Sequence, residues 1–251
     1  IDYKKISQFI LPEKDVEGMH PANIGKIVFG KAVILPCTPA AVMELLKETG
    51  VDLYGKEVVI VGHSEIVGKP LALLLLEKFA TVTVCHIGTS KAGKLEEHVR
   101  QAEILIVAVG KAGLIKGDWV KEGAIVIDVG INRVGDKIVG DVEFESAEKR
   151  ASWITPVPGG VGPLTVTMLM RNLVEAAKKK VAQAADEKKK SLEVERRVAR
   201  AHISKTERMR VMDARSHILE SVKTRTREEI RKLVKDQGKY KALLAELVRQ
   251  S

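Results

Sequence analysis

Short apolar runs that alternate with helical patterns dominate residues 1–177. Runs rich in β-branched residues predict five strands, at 57–61, 81–85, 104–109, 124–129 and 153–157. Helical spacing of apolar positions predicts helices at 39–49, 69–79, 91–102 and 165–177. Strands that are apolar on both faces and alternate with helices are typical of a parallel sheet covered on both sides. We therefore expect an α/β fold with a doubly wound, mostly parallel, Rossmann-like sheet.

Residues from 178 onward follow a different pattern, which predicts one long charged helix that is broken or loosened near Gly238. Four apolar residues recur there at intervals of 11, namely Val211, Val222, Leu233 and Leu244. This period favours a right-handed supercoil against a partner helix. Because such a helix cannot bury its apolar stripe alone, we expect a coiled-coil or stalk-like segment.

Composition divides the chain at nearly the same place. The 251 residues carry a formal net charge of +9, but residues 178–251 hold 22 Lys and Arg against 11 Asp and Glu, whereas residues 1–177 hold 20 against 22. All 8 prolines and 19 of the 20 glycines lie at or before Pro163. We therefore predict two domains, 1–177 and 178–251, with the join within about 178–185.

Other features of the composition narrow the class of protein. Hydrophobic residues make up 45% of the chain, which supports a packed core, and no apolar run reaches the roughly 18 residues of a membrane span. Cys37 and Cys85 are the two cysteines, and we expect both to be packing residues. With so few thiols and no secretory signal, we expect a reducing, cytoplasmic setting. The six histidines lack metal-ligand spacing, so no metal is expected. Because residue 1 is Ile, we expect a processed, trimmed or partial chain.

Two loops between a predicted strand and a predicted helix carry the candidate chemistry. Residues 62–70, Gly-His-Ser-Glu-Ile-Val-Gly-Lys-Pro, put glycine where backbone can approach a phosphate and a helix N-terminus where N–H groups face an anion. A purely structural tight turn is the equal alternative, because the G-x-G-x-x-G pattern is missing. Residues 155–165 place three glycines among three prolines, which makes a stiff, shaped loop.

Both loops should lie at the carboxyl ends of strands, where open α/β sheets bind ligands. Residues 128–133 follow another predicted strand at that edge. Asp128 could act there as an acid or base, but a strand-end aspartate more often holds a turn through its side chain, and we favour that role.

Seven segments occur in the order seen in bifunctional methylenetetrahydrofolate dehydrogenase/cyclohydrolase. They are residues 15–18, 20–25, 36–39, 62–70, 128–133, 139–142 and 155–165. Residues 1–178 resemble the C-terminal cofactor domain of that family and the segment leading into it. The family transfers a hydride from 5,10-methylenetetrahydrofolate to NADP and hydrolyses the methenyl product. The resemblance therefore implies a cytoplasmic enzyme of one-carbon folate metabolism that uses NADP and is commonly a homodimer through this domain.

The resemblance also implies which residues bind. For the cofactor they are Gly62, His63, Ser64, Gly68, Ile87, Thr89, Ile131, Gly159 and Gly160. For the folate substrate they are Glu17, Pro156, Val157, Pro158, Gly159, Gly160, Val161, Gly162, Pro163 and Leu164. The family's catalytic Tyr-x-x-x-Lys pair has no counterpart, since Tyr3-Lys4 lies in the wrong segment and at the wrong spacing. The resemblance places this pair in the family's N-terminal folate domain. We therefore expect no catalytic residue here, and folate turnover only if that domain is supplied.

Three residues depart from the family pattern. Glu17 stands where a folate-contacting Asp is usual. His63 replaces the usual Arg beside the 2′-phosphate of NADP, and Ile87 stands where a Ser or Arg often helps to bind that phosphate. Arginine is always charged and binds phosphate with a fork of donors, whereas histidine is charged only part of the time near pH 7. We therefore expect a weakened preference for NADP, with NAD as the alternative cofactor.

The C-terminal segment carries a second resemblance, through residues 206–215 and 234–244. Residues from about 186 to 251 are similar to the stalk helix of the E subunit of vacuolar-type ATPases, which pairs with the G subunit. This supports an alternative function, a structural stalk protein with a passenger domain. Nucleic acid is not expected, because acidic residues are interspersed with the basic ones and Tyr240 is the one aromatic residue. A natural fusion, an engineered one and an artefact of gene assembly all stay open as the origin of the join.

Overall fold

The computed structural model describes Ile6 and residues 9–250, so Tyr3 and Lys4 lie outside the described residues. Five strands form a parallel sheet in the order β2-β1-β3-β4-β7. They are β1 Glu57–Val61, β2 Thr81–Cys85, β3 Ile104–Val107, β4 Ile125–Asp128 and β7 Trp153–Ile154. The strands β5 Asn132–Val134 and β6 Lys137–Val139 form a separate antiparallel hairpin. With helices on both faces of this sheet and a long helix at the C-terminal end, the predicted fold class is confirmed.

The helices match most of the predicted ones, with shifted ends. They are Pro21–Val28, Cys37–Glu48, Gly68–Glu77, Ile87–Lys91, Leu95–Gln101, Phe144–Ala147, Val161–Lys235 and Gln237–Gln250, with a 3-10 turn at Gly117–Trp119. The predicted helix 91–102 begins later, at Leu95, because a separate short helix, Ile87–Lys91, precedes it and Gly93 takes a left-handed φ of 71° between the two. The predicted helix 165–177 begins earlier, at Val161. Pro163 is tolerated there because its missing N–H falls in the first turn.

Strand side chains alternate between two apolar cores, one on each face of the sheet. Val58 and Ile60 of β1 belong to the core beneath the helices Cys37–Glu48 and Gly68–Glu77. Val59 and Val61 belong to the other core, beneath the helix Leu95–Gln101. All four of these side chains are at most 3% exposed. This burial on both faces explains why the strands read as continuous apolar runs.

The β5–β6 hairpin was missed by the sequence analysis, although its sequence carries a signal. Gly135 and Asp136 separate two short runs, and Gly-Asp between apolar positions is typical of a two-residue hairpin turn. Gly135 has a φ of 63°, which a turn of this kind requires. Each strand is three residues long and largely exposed, so the apolar pattern that revealed the other strands is weak here.

The chain separates into two compact units, Ile1–Val181 and Ala182–Ser251. The second unit is helical, with an interruption at Asp236, two residues before the predicted break at Gly238. Its apolar stripe is exposed, with Val211 at 52% and Val222 at 54%. That residues 1–177 and 178–251 are separate domains, each folding on its own, stays a prediction. None of the described helices is both long and apolar enough to cross a membrane.

Two buried carboxylates fix the loops at the carboxyl ends of β3 and β4. Asp141 is fully buried and accepts the backbone N–H groups of Val109, Gly110 and Lys111 at 2.7 to 2.8 Å, as well as Asn132 Nδ2 at 2.8 Å. Three successive N–H groups around one anion form a compact nest.

Asp128, 4% exposed, is the second carboxylate of this pair. It accepts the backbone N–H groups of Gly130 at 2.9 Å, Asp141 at 3.1 Å and Val142 at 2.8 Å. Asp128 thus holds a turn, as the strand-end position predicts. The packing leaves no room for side chains opposite the carboxylates, since a Cβ on Gly130 would collide with Asp141 and a Cβ on Gly140 with Asp128.

Burial raises the pKa of Asp128 from 3.8 to about 6, and the neighbouring charge of Asp141 adds to that rise, while the three N–H donors oppose it. The folded pKa therefore lies above the unfolded one. The contribution of this group to stability is fully present below pH 3.8 and is lost as the pH rises through 6.

We predict that raising the pH from 4.5 to 7.5 removes about 2 kcal/mol of the stability that Asp128 contributes to the first unit. The measurement is urea unfolding of the wild type and Asp128→Asn, followed by the fluorescence of Trp119 and Trp153, both of which lie in the first unit. Asp128→Asn should be less stable at both pH values, because its amide group replaces one acceptor. The difference between the two proteins should narrow at pH 7.5. A difference that does not change with pH would contradict the raised pKa.

Candidate functional site

The carboxyl ends of the parallel strands gather five loops along one edge of the sheet. From β1 the chain crosses to β2 on one side and then returns to β3 on the other side of β1. The crevice between the ends of β1 and β3 is therefore the topological switch point of the sheet. Open α/β sheets bind their ligands at such a point.

A cavity of about 310 Å³, which we call the Gly62 cavity, lies at this switch point. The ends of three strands and the loops that follow them line it: residues 61–64 at the end of β1, His86, Ile87 and Ser90 after β2, and Ala108, Val109 and Lys111 after β3. Leu95 and Leu114 add apolar surface. The cavity therefore combines an apolar floor with a few convergent polar groups, which is typical of a small-molecule site.

Two histidines from different loops meet in the Gly62 cavity. The ring centroids of His63 and His86 lie 5.3 Å apart. Nδ1 of His86 accepts the N–H of Gly88 at 3.1 Å, so the neutral ring carries its proton on Nε2. The hydroxyl of Thr89 accepts the N–H of His86 at 3.2 Å, which completes a capping box. Thr89, predicted to bind the cofactor, is thus engaged in a local cap and does not line this cavity.

Gly62 and Gly68 have a structural role that the sequence analysis held as an alternative. Gly62 takes a φ of 126°, and a Cβ there would collide with the carbonyl oxygen of Ala108. A Cβ on Gly68 would collide with the carbonyl oxygen of Gly62. These two glycines let the ends of β1 and β3 and the helix Gly68–Glu77 pack closely. The close packing itself shapes the wall of the Gly62 cavity.

The proline- and glycine-rich loop lines a second cavity of about 200 Å³ after β4 and β7. Residues 128–131 and 156–163 surround it, so the structure brings Ile131 together with most of the predicted folate-binding loop. The peptide bond between Val157 and Pro158 is cis. Leu164 does not line this cavity but packs against the core beneath the helix Cys37–Glu48.

A third cavity, of about 600 Å³, lies between the β5–β6 hairpin and the helix Phe144–Ala147. Sequence reasoning missed it because it depends on the hairpin. Its apolar lining includes Val134, Val139 and Phe144, and it shares Asp128 and Val157 with the second cavity. An ion pair between Lys116 and Glu143 lies at its margin.

Glu17 lies in a loop that other residues hold firmly. Asp15 accepts the N–H groups of Gly18 at 3.0 Å and His20 at 2.8 Å. The buried Asn172 donates to the carbonyl oxygens of Val16 at 2.9 Å and Leu35 at 2.8 Å. The side chain of Glu17 is exposed and lines none of the three cavities described above.

The two cysteines are buried free thiols. Burial, with the nearby charge of Glu17, raises the pKa of Cys37 to about 12, and burial raises the pKa of Cys85. Both thiols therefore stay protonated near neutral pH, in agreement with the predicted packing role rather than a nucleophilic one. Among the described residues, no group of His, Cys, Asp and Glu is arranged to hold a metal ion.

Comparison with known families matches both parts of the chain. Residues 36–181 match the family model described as tetrahydrofolate dehydrogenase/cyclohydrolase, NAD(P)-binding domain. Residues 165–251 match the model described as ATP synthase (E/31 kDa) subunit. The two matches share residues 165–181, within the helix Val161–Lys235.

Curated relatives are similar over the first part of the chain. The bifunctional protein FolD of Pelobacter propionicus is 58% identical over 184 residues, which cover 73% of this chain and 64% of that protein. Bifunctional protein FolD 2 of Geobacter sulfurreducens is 59% identical over 179 residues, covering 71% and 62%. The chain thus spans somewhat less than two thirds of the length of these relatives.

Solved structures agree with this similarity. The Trypanosoma brucei methylenetetrahydrofolate dehydrogenase-cyclohydrolase, complexed with NADP cofactor and inhibitor, is 45% identical with a TM-score of 0.69, covering 72% of this chain and 64% of its own. The Campylobacter jejuni FolD enzyme is 52% identical with a TM-score of 0.67, covering 70% and 62%. With a family match over more than half of its residues, the chain belongs to the tetrahydrofolate dehydrogenase/cyclohydrolase family, through that family's NAD(P)-binding domain.

Proposed function

We propose that this chain binds NADP along the carboxyl edge of its sheet, as the cofactor-binding part of a methylenetetrahydrofolate dehydrogenase/methenyltetrahydrofolate cyclohydrolase. The observation that carries the proposal is the Gly62 cavity, which three loops line at the switch point of the sheet. The 45% identical Trypanosoma brucei enzyme, solved with NADP, supports the same cofactor. The free thiols of Cys37 and Cys85 fit a reducing, cytoplasmic setting.

The residues present fit a dinucleotide laid along this edge. The Gly62 cavity lies at the ends of β2, β1 and β3, and the second cavity at the ends of β4 and β7. The four spacings between five neighbouring strands, at about 4.8 Å each, add up to roughly 19 Å, which suits an extended ligand. The apolar floor of the Gly62 cavity would hold the adenosine, and residues 62–64 would hold its phosphates.

At the other end, Ile131 and residues 156–163 would hold the nicotinamide and the folate. The nicotinamide, when bound, supplies the hydride acceptor. The contribution of the chain is to orient the two reactants and exclude water between them. The stiff loop of residues 156–163 suits this role because its prolines restrict the backbone.

The loops after β1 and β2 should contribute only weakly to a preference for NADP over NAD. His63 and Ile87 both line the Gly62 cavity, where the resemblance places the 2′-phosphate. Ile87 is 68% exposed and offers that phosphate no hydrogen-bond donor from its side chain. His63 offers an imidazole ring with at most two N–H donors in place of a guanidinium fork.

We predict saturable binding of both NADP and NAD in calorimetric titrations of the chain at fixed ionic strength. His63→Arg should strengthen NADP binding about tenfold, or roughly 1.4 kcal/mol, because a permanent charge then faces the 2′-phosphate. NAD binding should change less than twofold. The matched control is His217→Arg in the second unit, which should change neither affinity. Failure of the wild type to bind either dinucleotide would overturn the proposed function.

We also propose that the 251-residue chain alone turns over very little folate. The catalytic Tyr-x-x-x-Lys pair that the resemblance assigns to the family occurs nowhere in the sequence, since Ser7, Val58 and Leu244 stand four residues after Tyr3, Tyr54 and Tyr240. A tetrahydrofolate derivative would then be a partner only when the family's N-terminal folate domain, which carries that pair, is supplied. A second copy of the chain is the other partner we propose, through the α/β unit.

We predict a dehydrogenase rate, with 5,10-methylenetetrahydrofolate and NADP, at least about 10²-fold below that of a complete relative, because the proton-transfer groups are missing. The comparison enzyme is the 58% identical FolD of Pelobacter propionicus. NADP titration of the same sample is the control, since it shows that a slow rate does not result from misfolding. A rate near that of the complete enzyme would contradict the need for the missing pair.

A second function has its own support in the C-terminal segment. Residues 165–251 match the ATP synthase (E/31 kDa) subunit model, and the apolar stripe of the second unit is exposed. We propose that residues after 182 pair, as a peripheral-stalk helix, with a helix similar to the G subunit of vacuolar-type ATPases. A stripe with an 11-residue period is suited to a right-handed pairing of this kind.

We predict that Val222→Asp combined with Leu233→Asp abolishes the complex with such a partner helix, because two buried carboxylates would interrupt the apolar seam. The matched control is Thr224→Asp with Lys235→Asp, two residues further along and about half a turn away. That control should retain the complex in analytical ultracentrifugation. Equal loss in both variants, or no complex with the wild type, would argue against the stalk function.

A further inference from the structure

The Gly62 cavity contains one permanently charged side chain, and sequence reasoning did not single it out. Among the described residues that line this cavity, the polar side chains are those of His63, Ser64, His86, Ser90 and Lys111. Serine is neutral, and histidine changes charge between about pH 5 and 8. Lys111 is therefore the constant source of positive charge in the cavity.

The backbone of Lys111 is fixed while its side chain is free to reach a ligand. Its N–H donates to Asp141 Oδ1 at 2.8 Å, and the N–H groups of Val109 and Gly110 donate to Asp141 Oδ2. Because Asp141 is fully buried, this loop has a rigid anchor. The side chain of Lys111 is exposed at the cavity rim.

The ammonium group of Lys111 makes no ion pair with a carboxylate in the part of the chain that the structure describes. Other lysines of this unit are paired, such as Lys56 with Glu103 at 2.9 Å and Lys116 with Glu143. An ammonium group that makes no ion pair in the protein can bind a ligand anion without first giving up such a partner. The rim of the Gly62 cavity therefore offers this cation to an anionic group bound there.

The anion that distinguishes the two candidate cofactors is the 2′-phosphate of NADP. A phosphate monoester carries a charge of about −1.5 to −2 at pH 7, and lysine binds phosphate as a point charge. NAD has a neutral hydroxyl at the same position. A cation that contacts this group therefore favours NADP selectively.

We propose that Lys111 is a specificity-determining residue of the Gly62 cavity, whose ammonium group contacts the 2′-phosphate of NADP. This inference rests on the proposed dinucleotide binding and deepens it. Lys111 supplies the constant charge that His63 and Ile87 do not supply. The preference for NADP then comes from the loop after β3 rather than from the loops after β1 and β2.

The test is the dissociation constant of NADP and of NAD for the wild type, Lys111→Gln and Lys111→Arg, at fixed pH and ionic strength. Lys111→Gln should weaken NADP binding about tenfold and NAD binding less than twofold, because the glutamine is neutral. Lys111→Arg should keep the wild-type ratio within about threefold, since arginine retains the positive charge. The matched control is Lys78→Gln, an exposed lysine that follows the far end of the helix Gly68–Glu77, and it should change neither constant.

The outcomes separate this inference from the function on which it rests. Equal weakening of NADP and NAD by Lys111→Gln would place the lysine on a phosphate common to both and overturn the inference. No change with either dinucleotide would also overturn it, while the proposed function would stand. Wild-type protein that binds neither dinucleotide would overturn both. The thermal unfolding temperature of Lys111→Gln should match that of the wild type, because Asp141 accepts the backbone N–H and not the side chain.

Discussion

The loops at the carboxyl edge of the sheet depend on two buried carboxylates, which accept hydrogen bonds from the backbone N–H groups of those loops. Asp141 binds three successive N–H groups after β3, and Asp128 binds the N–H groups of Gly130, Asp141 and Val142. Hydrogen bonds to a charged acceptor contribute about 1.5 to 3 kcal/mol each, and N–H groups left unpaired in the interior would cost a similar amount. The same pair shapes the Gly62 cavity through the loop after β3 and the second cavity through the turn after β4. The two halves of the candidate site therefore share one support.

The sequence predicted the parts of this site that follow from strand ends. Apolar runs located the five strands, and because parallel strands end at a common edge, the amino-acid pattern alone could assign the loops at 62–70 and 155–165 to that edge. Asp141 and Lys111 were not found in this way. The backbone N–H of Lys111 donates to the carboxylate of Asp141, 30 residues away in the sequence. This contact depends on how β3, β4 and the hairpin are arranged in the fold, which the sequence pattern does not reveal. The segment after β3, residues 108–117, contains three glycines but no proline, so it lacks the combined glycine and proline pattern that marked the other two loops.

Several residues that the family resemblance assigned to ligands have structural reasons for their identity. Gly62 and Gly68 avoid collisions between backbone groups, Thr89 caps a helix, and Leu164 packs on the core. Agreement with the family pattern at such positions is therefore evidence for the fold as much as for cofactor binding. His63, Ile87 and Lys111 are exposed at the cavity rim and carry no comparable packing constraint. We therefore expect the selectivity between NADP and NAD to depend on the rim, through Lys111, rather than on the glycines.

The two units differ in how far they bury their apolar side chains. The first unit buries its strands between two cores, whereas the second leaves the stripe of Val211, Val222 and Ile230 more than half exposed. A helix of this kind gains most of its stability from packing, so the proposed stalk function needs a partner helix that covers the stripe. Residues 178–251 hold 22 Lys and Arg against 11 Asp and Glu, and two copies side by side would repel each other. The charge therefore favours a partner helix of opposite sign, and this is the condition that the stalk function places on whatever binds the stripe.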